Sequence, residues 1–170
     1  MLKRIITVVI IVIAISLAAF VILLSGFNND SPVYAGDDAI NFSLENMQGE
    51  IVTLSEFEGK TIIVNFWASL CKPCINEMPE LMKIQKLYKD KVVVVAVNRT
   101  LTERTVTAPE EFIKEHQINL EVLFDTEDEV SNLYKVIDMP ETFIIDENFK
   151  VKERFLGELN ADILVNLIEE

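Results

Sequence analysis

Only two cysteines occur in the 170 residues, and they stand three apart in Cys71-Lys72-Pro73-Cys74. Two thiols at that spacing on a first helical turn would have Cα atoms about 5 to 6 Å apart, within the range that a disulfide spans. Such a pair can close and open without unfolding the chain. If the helix begins at the first cysteine, its unpaired N–H groups and its dipole favour a thiolate there, so Cys71 is the candidate nucleophile. Cys74, a turn further in, would keep its proton until it resolves a mixed disulfide. Pro73 suits a first turn, where its missing N–H has no partner anyway, and Lys72 adds a nearby positive charge. A zinc half-site would need two further ligands, while His116 is the single histidine and no other cysteine exists. An inert bridge would close so short a loop that it would restrain little of the unfolded chain.

The segments around the pair supply that helix start. Thr61 to Trp67 (TIIVNFW) is a nearly continuous β-branched and aromatic run, as expected for a strand buried on both faces. From Pro73 to Asp90, Met78, Leu81, Met82, Ile84 and Leu87 recur at helical spacing, and Val92 to Val97 is a second buried strand. Strand, helix and strand in that order imply a parallel pair joined by a crossover. Ahead of them, Ala39 to Leu44 and Glu50 to Leu54 form a hairpin pattern around Met47-Gln48-Gly49, followed by a helical turn up to Gly59. Downstream, Pro109 to His116 and Asp128 to Val136 are expected helices with a strand, Leu120 to Phe124, between them. Thr142 to Ile145 and Val151 to Phe155 form a second hairpin around Asp146-Glu147-Asn148, and Asn160 caps a last helix that runs to Ile168. The class is α/β with a mixed central sheet flanked by helices, and residues 39–170 are expected to be one domain that works as a monomer.

Ile5 to Leu24 is an uncharged apolar run, which as a helix would span about 30 Å, the thickness of a bilayer's hydrocarbon core. Lys3 and Arg4 precede it and Asp30 is the first charge after it, so a preceding transmembrane helix over residues 1–25 would leave the N-terminus in the cytoplasm and the remainder exported. A cleaved signal peptide is the alternative, because Val33-Tyr34-Ala35 offers small residues where a signal peptidase inspects the chain. The run is longer than a signal core, which favours an uncleaved anchor, and residues 26–38, with Gly, Pro, Asn, Asp and Ser, are expected to be a flexible linker. Of 15 basic and 28 acidic residues, all but Lys3, Arg4 and Asp30 follow Ala35, where the net charge is therefore about −14. That balance argues against nucleic acid as a partner.

The stretch GKTIIVNFWASLCKPCINEMPEL, Gly59 to Leu81, resembles the membrane-anchored thioredoxin-like thiol-disulfide oxidoreductases of the ResA and TlpA type, related to the thioredoxins of bacterial cytochrome c maturation. The resemblance extends over Ala39 to Glu170, and Met139-Pro140-Glu141-Thr142-Phe143 is similar to the family's second signature. It implies a thioredoxin-like fold with an extra N-terminal β-hairpin, a redox pair formed by Cys71 and Cys74, and a cis-proline at Pro140. It also implies that Met139 offers a backbone edge to an extended substrate peptide. Glu77, three residues after Cys74, matches a family glutamate that exchanges protons with the pair; Glu80 is read as an exposed helix residue. Asn65 stands where plain thioredoxin has an aspartate, and Leu70 stands where the family usually has tryptophan. Trp67 is read as core.

What the resemblance implies is a protein disulfide reductase on the outer side of a bacterial cell membrane, with disulfide-containing exported proteins as substrates and apocytochrome c as the example. A membrane thiol electron donor would restore the dithiol, and no cofactor beyond the Cys71-Cys74 disulfide is expected. Spore-envelope or other exported proteins are alternative targets, and a thiol oxidase could run the same chemistry in reverse. A metallochaperone on this fold uses a longer cysteine spacing and a histidine near the chain end, where His116 does not lie. A peroxidase would need threonine or serine three residues before its cysteine, where Ala68 and Cys71 stand.

Overall fold

The computed structural model describes residues 4, 6, 7, 10–17 and 32–169, and divides into a unit that precedes Pro32 and one that begins there. In the first, residues 4, 6, 7 and 10–17 are helical; the other residues of the expected anchor, and the linker up to Ser31, lie outside the described residues. Among the described residues no helix is long and apolar enough to cross a membrane.

The second unit is built on a seven-stranded sheet in the order β2-β1-β5-β4-β3-β6-β7. Its strands are β1 (Ser43–Asn46), β2 (Ile51–Thr53), β3 (Thr61–Trp67), β4 (Val92–Arg99), β5 (Glu121–Asp125), β6 (Glu141–Ile145) and β7 (Val151–Leu156). Its helices are α1 (Lys72–Leu87), α2 (Ala108–Glu115), α3 (Glu129–Leu133) and α4 (Ala161–Glu169). The pairs β3–β4 and β4–β5 are parallel and the rest antiparallel, so the sheet is mixed, and β1–β2 is the extra N-terminal hairpin.

All seven residues of β3 are buried because both faces of the sheet are covered. On one face Ile63 and Trp67 pack with Met78, Leu81 and Ile84 of α1, Phe112 of α2 and Leu164 of α4. On the other Ile62, Val64 and Phe66 pack with Val130 of α3, Tyr134, Phe143, Phe42 and Leu54. The rings of Phe42, Phe66 and Phe143 lie 5.8, 5.7 and 4.9 Å from that of Tyr134, whose hydroxyl donates to the Ile40 carbonyl at 2.7 Å. Asn65 falls between Ile63 and Trp67 and so takes the α1 side.

Several boundaries differ from the sequence reading. The folded unit takes in residues 32–38, read as the end of a linker: Val33 is 4% exposed within the second cluster, and Asp38 bridges to Lys150. The strand expected from Ala39 starts at Ser43, because Ala39 bonds instead to the Phe149 carbonyl at 2.9 Å while Ala39 and Phe42 fill the core. Helix α1 ends at Leu87, since the Tyr88 carbonyl turns to accept from Lys91 and Val92 at 2.7 and 2.8 Å and leads the chain into β4. Helix α3 is shorter than expected because Asp128, at φ 54° and paired with Arg99, and Lys135, at φ 53°, leave the helical region at its two ends. Asn160 caps α4 as read, accepting from the Ile163 N–H at 3.0 Å.

Candidate active site

Strand β3 ends at Trp67, and a three-residue loop, Ala68 to Leu70, carries the chain to Cys71, the N-cap of α1. Cys71 and Cys74 are joined by a disulfide with Cα atoms 5.2 Å apart. The Cys74 N–H donates to Cys71 Sγ at 3.2 Å, so the sulfur occupies the place of a capping side chain and meets the positive end of the helix. Cys71 is half-buried and Cys74 is 1% exposed, which leaves the first sulfur as the one a partner can reach. Pro73 lies in the first turn, and Lys72 and Leu70 are exposed beside the pair.

Behind the pair, Glu77 is 1% exposed although it is a carboxylate. Its Oε1 accepts from Asn65 Nδ2 at 3.0 Å and from Thr142 Oγ1 at 3.4 Å, and its Oε2 from the Leu159 N–H at 3.3 Å. The register that sets Asn65 opposite Thr142 brings these two polar side chains together, 3.0 Å apart. Burial away from water pushes the Glu77 carboxyl up to about 7, against the lowering pull of the hydrogen bonds from Leu159 and Thr142. A carboxyl poised there takes or gives a proton near neutral pH. Asn65, which stands where plain thioredoxin has an aspartate, is thus a hydrogen-bond partner of Glu77.

The Met139–Pro140 peptide bond is cis, in the place that the resemblance implied. Met139 and Cys71 both pack against the cluster that contains Cys74. The Pro140 carbonyl accepts from Gly157 N–H at 2.8 Å, and the Met139 N–H donates to Asp138 Oδ1 at 2.8 Å. Trp67 is fully buried, 5.3 Å from the ring of Phe112. Glu80 is not a free surface residue: its carboxylate accepts from the Ala161 N–H at 2.9 Å and so fixes the start of α4. One polar group near the site escaped the sequence reading. Glu103 accepts from the Ser69 N–H at 2.7 Å, from Ser69 Oγ and from Asn98 Nδ2 at 2.8 Å, tying the loop before Cys71 to the end of β4. Among the described residues no cluster of three His, Cys, Asp or Glu is placed to hold a metal ion.

A mixed sheet, a disulfide at the N-terminus of the helix after its central strand, and a cis-proline before β6 define a thioredoxin-like protein. Residues 35–154 match the AhpC/TSA family. The chain is 36% identical over 154 residues to the thiol-disulfide oxidoreductase ResA of Oceanobacillus iheyensis, covering 87% of this chain and 79% of that one. It is also 36% identical over 125 residues to the thioredoxin-like protein YneN of Bacillus subtilis, covering 74% and 73%. Among solved structures it resembles a thiol:disulfide interchange protein of DsbE type from Chlorobium tepidum, with a TM-score of 0.74 and 33% identity over 81% of this chain and 96% of that one. The chain belongs to the AhpC/TSA family and, within it, to the ResA-type thiol-disulfide oxidoreductases.

Proposed function

We propose that the protein is a reductase of disulfides in exported proteins, held on the outer side of a bacterial membrane by residues 1–25, and that apocytochrome c is among its targets. The observation that carries the reading is the pair of unequal sulfurs: Cys71 reachable and capping a helix, Cys74 buried one turn ahead of a carboxyl poised near neutrality. In the reduced enzyme the Cys71 thiolate attacks a target disulfide, forming one S–S bond while the target's own breaks and releases a thiolate. Glu77 takes the Cys74 proton, and the Cys74 thiolate then attacks the Cys71 sulfur, closing the intramolecular bond and freeing the target as a dithiol. Two electrons pass to the target, and a dithiol donor in the membrane returns two electrons to the pair. Met139 and Pro140 present the edge on which an extended target strand lies, the Asp138 contact giving way to it. The 36% identity to a ResA protein supports the reading, as does the apolar run from Ile5 to Leu24.

The test is the reduction potential of the full chain, equilibrated in dithiothreitol or glutathione buffers and read by thiol trapping, with a disulfide peptide bearing the haem-binding cysteines of a cytochrome c as substrate. A value at or below about −270 mV together with turnover of the peptide is the expected result. A value near −120 mV would make the protein an oxidant and overturn the direction proposed.

A further inference from the structure

The loop that carries Met139 and Pro140 rests on a buried ion pair that the chemistry above does not use. Glu141, immediately after the cis-proline, is 1% exposed and accepts from Arg154 Nε at 2.6 Å; the Arg154 side chain is 11% exposed. The other carboxylate oxygen of Glu141 accepts from the Ile137 N–H at 2.8 Å, in the middle of the loop. Arg154 Nη2 donates to the Lys135 carbonyl at 2.8 Å, where the loop begins, and Nη1 to the Val33 carbonyl at 3.4 Å. The guanidinium also lies 5.2 Å from the centre of the Phe143 ring. Two side chains therefore fix the loop's start, its middle and its end.

Taking both charges out of water is costly, and apolar residues of similar volume would often hold the fold as well. What the pair adds is geometry, since a planar guanidinium with several donors holds its acceptors at set positions. We infer that Glu141 and Arg154 are positioning residues that hold the Met139–Pro140 edge in register for an extended polypeptide, so that they govern docking of protein disulfides and leave the exchange chemistry at Cys71 alone. The inference rests on the proposed reading of that edge as the substrate-binding strand. A small disulfide needs only the exposed side of Cys71, whereas a polypeptide needs the edge as well.

The experiment compares the full-length protein with Glu141→Leu/Arg154→Met, which leaves no lone buried charge, and with Arg154→Lys, which keeps the charge and loses the fork. Each is assayed on a cyclic Cys-Xaa-Xaa-Cys peptide and on hydroxyethyl disulfide. The double variant is expected to raise KM for the peptide on the order of tenfold, the worth of one misplaced hydrogen bond, with Arg154→Lys between it and the parent. Peptide kcat and the rate with hydroxyethyl disulfide should stay within about twofold of the parent. Unchanged peptide KM in both variants, or equal falls on both substrates, would overturn the inference; if the double variant does not fold, Arg154→Lys alone decides between these outcomes. A peptide N-methylated along its backbone separates this failure from that of the underlying reading. If methylation leaves the parent's KM unchanged, the edge is not a docking strand; if it raises KM while the variants do not, the edge stands and the ion pair has no part in positioning it.

Discussion

Glu77→Gln removes the one ionisation that burial has displaced furthest toward neutrality at the site, and its consequence for stability has a definite sign. In the unfolded chain the carboxyl loses its proton above its ordinary value of 4.5, while in the native protein it holds the proton up to about 7. Between those two values the native state binds more protons than the unfolded state, so stability falls as pH rises through the window and the loss is complete above it. The interval corresponds to about 3 kcal/mol. Glutamine has nearly the shape of the protonated acid and does not ionise, so the variant lacks this decline. One of its two polar atoms is a donor facing Asn65, Thr142 or Leu159, which adds an offset that does not depend on pH. Urea unfolding of the oxidised parent and variant from pH 4 to 8 is the assay. The stability of the variant relative to the parent should climb by about 3 kcal/mol across the range, a relative midpoint shift of roughly 1 to 2 M urea. A difference that stays constant with pH, or one that moves the other way, would refute the assignment of a neutral buried Glu77.

Thr142→Val removes one of the hydrogen bonds that pull the Glu77 carboxyl down, so its titration should move above the parent's value of about 7; a downward shift in carboxyl NMR would contradict the geometry. A chain shortened to begin at Gly36 loses the buried Val33, and its unfolding free energy should fall by about 1.5 to 3 kcal/mol; an unchanged denaturation midpoint would show that residues 32–35 are not part of the fold. Glu103→Ala strips the acceptor from Ser69 and Asn98, and should cost about 1 to 3 kcal/mol and speed hydrogen exchange at the Ser69 amide; unchanged exchange would remove Glu103 from the site's support.

The parts of the site that are local in sequence were legible there. Cys71 and Cys74 follow a β-branched run and open an amphipathic helix, and those two facts alone place the first sulfur at a helix N-terminus. The mixed sheet followed from the strand–helix–strand order, which implies a parallel pair, together with the hairpin patterns, and the β1–β2 hairpin from its Gly49 turn. Contacts closed by strand register were not legible: Thr142 meets Glu77 across 65 positions and Glu103 meets Ser69 across 34, and neither pattern carries a periodic signal. The same holds for Glu80, whose acceptor role depends on where α4 begins, 81 positions on. Val33 reads as linker in the sequence because the three residues Val33-Tyr34-Ala35, set between Ser, Pro, Gly and Asp, are too few to show a periodicity. Glu77 and Pro140 were reached through resemblance to a family rather than through spacing, and the burial of Glu77 is what gives its carboxyl an unusual titration.

The central claim is that Cys71 attacks and Cys74 resolves. Cys74→Ser should leave a stable mixed disulfide between Cys71 and a target peptide, seen as one added peptide mass that a reductant removes, while Cys71→Ser should give no adduct. An adduct on Cys74 in the Cys71→Ser protein at a comparable rate, or none in either, would contradict the account.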